Sequence, residues 1–240
     1  MKDININIPT SLEGIKLSSY QDYLKIYNNW DKEDDVFIKT KMLQVFCDLS
    51  LKDTFNIPLS SFDEVIGHLL NCLNEDTPFI NKFSMDGKDS NGDDITVTYG
   101  FIPNLDKITF GEFIDLDKYI NDWDNMHKAM SILYRPIIHQ KKEFYRIEDY
   151  QGTYKHSNVM RDMPVNVVIG ALVFFYRLSN KLPSHTLDYF LKEIQKKGEQ
   201  TPQVKQILEK NGDTFNQYIL LLKEMSEGSM KLQVPLYTNV

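Results

Sequence analysis

The stretch Ile8-Pro9-Thr10-Ser11-Leu12-Glu13-Gly14-Ile15-Lys16-Leu17-Ser18-Ser19-Tyr20 returns, one residue shorter, as Ile102-Pro103-Asn104-Leu105-Asp106-Lys107-Ile108-Thr109-Phe110-Gly111-Glu112-Phe113. Both copies read Ile-Pro, a gap, then Leu-x-x-Ile-x-apolar-small-x-aromatic, and each leads into a segment with helical spacing of apolar residues. The repeat predicts two weakly related halves, 1–80 and 81–182. A helical C-terminal extension, 183–240, follows and closes on an extended tail.

In the first half, residues 4–8 and 14–17 read as short extended pieces. Ser18 then opens a helix on which Tyr20, Tyr23, Leu24 and Tyr27 share a face, and Asn28-Asn29-Trp30-Asp31 breaks it. A second helix is expected over 34–49, with Phe37, Met42, Val45 and Phe46 as its apolar side. A third is announced by Pro58 and the capping residues Ser60 and Ser61, and carries Phe62, Val65, Ile66, Leu69 and Leu73.

Between the copies, the turn dipeptides Asp86-Gly87 and Asn91-Gly92 flank the alternating Ile95, Val97 and Tyr99, which predicts a β-hairpin. Its acidic tip is not a calcium loop. With Gly92 as the obligatory glycine, the first and last ligands would be Gly87 and Thr98, and neither supplies a carboxylate.

In the second half, Asp115 can cap a short helix through Tyr119 and Ile120. Asn121 or Asp122 can cap another, in which Met126, Met130 and Leu133 line up before Arg135-Pro136 ends it. Residues 138–150 read as a mixed, partly extended loop. Asp162-Met163-Pro164 then opens an apolar helix over 165–176, too short for the about 20 apolar residues that cross a bilayer and bracketed by Asp162 and Arg177. It is expected at the buried centre, with Val167, Val168, Ile169, Leu172, Val173 and Phe175 packing beside Met126, Met130 and Leu133. Gly170 within it reads as a close helix crossing. The fold class is therefore α+β and mainly α-helical, with short β-hairpins packed on helices.

With 42% hydrophobic residues in 240, the chain can bury a real core. A net charge of -7 argues against sequence-independent phosphate binding, and the best basic run, His139-Gln140-Lys141-Lys142, is too short to reverse that. No specific nucleic-acid partner and no membrane partner are expected. Cys47 and Cys72 both fall in apolar helical patterns, as buried thiols of a reducing compartment do. The N-terminus lacks the apolar run of a signal peptide, which predicts synthesis and retention in a cytoplasm.

Candidate chemistry is sparse. Asp115, Asp117, Asp122, Asp124 and His127 could hold a divalent metal, but each Asp sits where a helix begins and would satisfy free backbone N–H groups. There is no Gly-x-Ser-x-Gly, no phosphate-cradling loop and no cysteine with motif support for activation. No catalytic residue, cofactor or metal is expected, and the chain reads as a non-enzyme. The tyrosine stripe could stack bases, yet in an acidic chain it reads better as a core or protein-interface face. Val234, Leu236 and Tyr237 in the apolar tail are the candidate interface residues. They could tuck back on their own chain or be donated to a neighbour.

Three segments carry a family resemblance. They are Tyr99-Gly100-Phe101-Ile102-Pro103-Asn104-Leu105, then Thr109-Phe110-Gly111-Glu112-Phe113-Ile114-Asp115-Leu116-Asp117, and then His127-Lys128-Ala129-Met130-Ser131-Ile132-Leu133-Tyr134-Arg135-Pro136-Ile137. Together with Asp162-Met163-Pro164 and Gly170-Ala171-Leu172-Val173-Phe174-Phe175, they resemble small virion-morphogenesis proteins of tailed bacteriophages, as found in crAss-like phages. The likeness spans about residues 1 to 180. It implies a structural place in the virion, at the head-to-tail connector or tail, as a ring or adaptor protein. The partners it implies are portal, tail or ring proteins and further copies in a homo-oligomeric ring. A tail or baseplate assembly chaperone that leaves the finished particle is the alternative. The resemblance brings no catalytic residues with it.

Overall fold

The computed structural model describes residues 6–30, 34–88 and 92–181. The protein is α+β and mainly helical, with helices α1 (Leu17–Asn28), α2 (Asp35–Phe46), α3 (Leu51–Phe55), α4 (Leu59–Leu73), α5 (Phe110–Tyr119), α6 (Met126–Leu133) and α7 (Val165–Lys181). An antiparallel sheet, in the order β1 (Lys82–Lys88), β2 (Asp94–Phe101), β3 (Tyr134–Lys141), β4 (Phe144–Ile147), lies between α4 and α7 in the chain. The chain divides into two compact units, Met1–Gly170 and Ala171–Val240. Among the described residues no helix is long and apolar enough to cross a membrane.

The two copies of the repeat take the same local path. In each, the shared Leu opens a 3-10 turn, Leu12–Gly14 and Leu105–Lys107, and a helix begins five residues after that Leu, at Leu17 and Phe110. Their surroundings differ. Leu12, Ile15 and Tyr20 are buried to 1%, 2% and 1% exposure, whereas the matching Leu105, Ile108 and Phe113 are only half-buried.

The expected strand at 14–17 is a single bridge, Lys16 opposite Pro164. The Leu17 N–H donates to the Met163 carbonyl and the Val165 N–H to the Ile15 carbonyl, both at 2.9 Å. Residues 6–8 form no regular element, and residues 4 and 5 lie outside the described residues. That bridge ties the first copy to the start of α7.

Several element boundaries differ from the sequence reading. The helix expected over 34–49 stops at Phe46, where Asp48 takes a left-handed φ of 53°. Its buried side is Ile38, Met42, Leu43 and Phe46, while Phe37 is exposed. The stretch 138–150, read as a loop, supplies most of the β3–β4 hairpin. Helix α5 starts at Phe110 rather than Asp115, because Thr109 and Glu112 form a reciprocal capping box.

The first unit's centre lies among α1, α6 and the start of α7. Met126, Met130, Leu133, Val167, Val168 and Ile169 are buried as expected, but Leu172, Val173 and Phe175 are half-buried. Tyr20 packs on Trp123 and Tyr23 on Phe46, with ring centroids 5.3 and 5.0 Å apart, so the tyrosine stripe is core at these two positions. At the base of the sheet Phe79, Phe83, Phe101 and Tyr134 form an aromatic cluster. Gly170 makes a close approach, to the irregular segment between α4 and β1 and not to a helix: a Cβ there would collide with the Pro78 carbonyl oxygen.

Candidate protein-interaction surface

The acidic group singled out from sequence disperses into structural contacts. Asp122 accepts from the Asp124 N–H at 2.9 Å and from the Asn125 side-chain amide at 2.6 Å, a capping arrangement. Asp115 accepts from the Tyr150 hydroxyl. Asp124 stands 3.8 Å from the Lys25 ammonium. Burial raises the Asp117 carboxyl. His127 points elsewhere, its Nδ1 accepting from the Gln21 side-chain amide at 3.3 Å. Burial, with Arg161, Lys128 and Lys25 nearby, lowers its pKa to about 4, so the imidazole is neutral at pH 7. Among the described residues no group of three or more His, Cys, Asp or Glu side chains could hold a metal ion.

A buried ion pair joins α5 to β3. Glu112 and Arg135, 4% and 6% exposed, pair through Oε1 and Nη1 at 2.5 Å. The second Glu112 oxygen accepts the Thr109 N–H of the capping box. The Tyr150 ring lies over the Arg135 guanidinium at 5.7 Å, and burial followed by the Asp115 hydrogen bond drives the Tyr150 phenol far up. The Arg135 Nε and Nη1 groups are buried without a geometrically formed hydrogen bond, so the guanidinium is held by the Glu112 charge and the Tyr150 ring, and the cluster ties helix to sheet. Sequence reasoning missed this pair, since 23 positions separate its members and no spacing rule links them.

The remaining nucleophile candidates are quiet. Burial pushes the Cys47 thiol up to about 11. Cys72 is raised by burial and then by Glu75, although its Sγ lies 3.6 Å from His68 Nε2. A raised thiol stays protonated and is a poor nucleophile. Glu148 accepts from Lys155 and His156, and the Lys155 hydrogen bond holds it below the usual carboxylate range.

What the surface offers instead is apolar. Leu51, Phe55 and Leu59 are 50%, 72% and 76% exposed within nine residues. Helix α3 is only one turn and a half long, yet it is well tied. The Ser50 hydroxyl accepts from the Asp53 N–H, and Thr54, itself buried, donates to the Ser50 carbonyl at 3.0 Å. Leu51 and Phe55 stand four apart on this turn and so share a face. Leu59 opens α4 directly after the Pro58 cap. Isolated exposed apolar residues are ordinary, whereas two large ones sharing a face of an ordered turn, with a third exposed at the start of the next helix, have the character of a contact surface. The sequence signal for it was Ser50-x-x-Asp53, a helix start too short for periodicity to register. The tail residues Val234, Leu236 and Tyr237 lie outside the described residues.

No family model, curated protein or solved structure matches the chain.

Proposed function

We propose that this chain is a structural component of a tailed-phage virion, at the head-to-tail connector or tail, and that it works by protein–protein contact without catalysis. The observation that carries the reading is the exposure of Leu51 and Phe55 on the capped turn of α3, with Leu59 exposed at the start of α4. The resemblance of residues 99–137 to virion-morphogenesis proteins supports the setting. On this reading the protein is made in the host bacterial cytoplasm and enters the particle. Its partners are portal, tail or ring proteins and further copies of itself.

The test is complementation of a phage lacking the gene with Leu51→Ser/Phe55→Ser/Leu59→Ser. Exposed apolar side chains contribute little to folding, so the variant folds like the wild type while its incorporation into particles falls at least about tenfold. Wild-type incorporation of the folded variant would contradict the reading. If the wild-type protein binds tail components in the cell and is absent from finished particles, the assembly-chaperone alternative takes its place.

A further inference from the structure

Gln21 of α1 and His127 of α6 are buried to 3% and 5% exposure and meet beside the 3-10 turn Trp123–Asn125, which leads into α6. The Gln21 amide nitrogen lies 2.5 Å from the Trp123 carbonyl, 3.2 Å from the Asp124 carbonyl and 3.3 Å from His127 Nδ1. Backbone carbonyls only accept, so the atom between them is the amide NH2 group and not its oxygen. The imidazole nitrogen facing that group must then accept as well, which makes His127 the neutral Nε2–H tautomer. The hydrogen-bond geometry alone requires this neutral state.

A proton on Nδ1 turns that acceptor into a donor, and donor then faces donor. Turning the amide over would offer its oxygen to the imidazolium but set the same oxygen against the Trp123 and Asp124 carbonyls, so neither orientation serves all three partners. The neighbouring charges oppose the proton too. Lys25 from α1, Arg161 from the 3-10 turn Val159–Asp162 and Lys128 from α6 disfavour the imidazolium, and Asp122 favours it.

Of the pieces that meet here, the turn is the least anchored. Asp124 is exposed and Trp123 and Asn125 are half-buried, whereas α1 buries Leu17, Tyr20, Tyr23 and Leu24 in the core. The Gln21 amide, the Tyr20–Trp123 ring contact and the Lys25–Asp124 pair at 3.8 Å join the turn to α1. Both members of that ion pair are largely exposed, and such a pair holds little by itself.

We propose that Gln21 and His127 form an acid-operated latch, in which a proton on His127 Nδ1 displaces the Gln21 amide and releases the turn Trp123–Asn125 from α1 while the rest of the fold stands. Release returns the imidazole to water and its usual pKa of 6.5, whereas in the closed latch burial holds it at about 4. The open form therefore binds more protons below 6.5, and acid favours opening. Between about pH 7 and about pH 4 the opening constant rises roughly a hundredfold. The latch is a property of the fold and is independent of the virion role.

The experiment is native-state hydrogen exchange on the full chain from about pH 7 to about pH 4, corrected for the intrinsic rate. The Met126 N–H donates to the Trp123 carbonyl and reports the turn, while the amide of Leu69, fully buried in α4, reports the fold as a whole. Protection at Met126 falls at least about tenfold more than at Leu69 in the wild type, and this excess is absent in His127→Gln. An equal fall at both amides in the wild type overturns the proposal, as does an excess at Met126 that persists in His127→Gln. Should that variant fold poorly, nitrogen-15 spectra of the wild-type imidazole at about pH 7 decide the starting state without any substitution. An unprotonated Nδ1 with a protonated Nε2 is expected, and a protonated Nδ1 overturns the latch.

Discussion

Tyr145 lies across Gly100, where the Cβ of any other residue would collide with the ring edge at Cε2 and stand 2.9 Å from Cδ2 and 3.0 Å from Ile137 Cγ1. The missing side chain on β2 is what lets β4 fold over it, and the Tyr145 hydroxyl then reaches the Phe101 carbonyl at 2.8 Å. Gly100→Ala forces the ring aside and is expected to lower stability by about 1 to 3 kcal/mol in urea unfolding. Gly67→Ala, in the middle of α4 with open space around its Cβ, is the counter-case. It is expected to raise stability by about 0.5 to 1 kcal/mol.

Gly170 is the more severe position. A Cβ there meets a backbone carbonyl, that of Pro78, which cannot rotate away as a side chain can. Gly170→Ala is expected to cost at least about 2 kcal/mol, read as a lowered unfolding midpoint. A wild-type midpoint would show that the segment at Pro78 yields freely.

The Glu112–Arg135 pair is expected to behave as a unit. Glu112→Gln keeps a side chain able to serve the Thr109 cap but leaves the Arg135 guanidinium buried without its counter-charge, at a cost of about 3 to 5 kcal/mol. Arg135→Met strands the carboxylate in the same way. The double variant Glu112→Gln/Arg135→Met is expected to lose much less than the sum of the two, and a double-mutant cycle by urea unfolding measures the difference.

His127 makes stability depend on pH. The unfolded imidazole binds its proton near 6.5, whereas the folded one does so only near about 4, because burial disfavours the charge. Between those values the unfolded chain holds more protons, so stability rises with pH and is lost as pH falls from 6.5 toward 4. The slope is at most about 1.4 kcal/mol per pH unit. His127→Gln removes this contribution and flattens the profile over that window, and urea midpoints across pH compare the two proteins.

Much of the fold could be read from residues whose preferences are local. Asn91-Gly92 with the alternating Ile95, Val97 and Tyr99 marked the β1–β2 hairpin, and Gly92 does take a positive φ, of 88°. Pro58 marked α4, and Met163-Pro164 marked the start of α7. The β3–β4 hairpin was hidden for a physical reason. Its turn is Lys142-Glu143, with a lysine at a φ of 55° where glycine or asparagine is the usual signal, and a bulge between Ile137 and His139 spoils the alternation. Thr109-x-x-Glu112 was a legible capping box that the repeat pattern overshadowed. The contact surface was the least legible, since α3 spans five residues and Leu51 and Phe55 look in sequence like any other core pair.

The measurement that bears most directly on the structural role is quantitative peptide mass spectrometry of gradient-purified phage particles, normalised to the portal protein. The account predicts a fixed copy number at a small multiple of the portal, with Leu51→Ser/Phe55→Ser/Leu59→Ser depleted from the particles. Abundance in infected cells with near-absence from particles would contradict it.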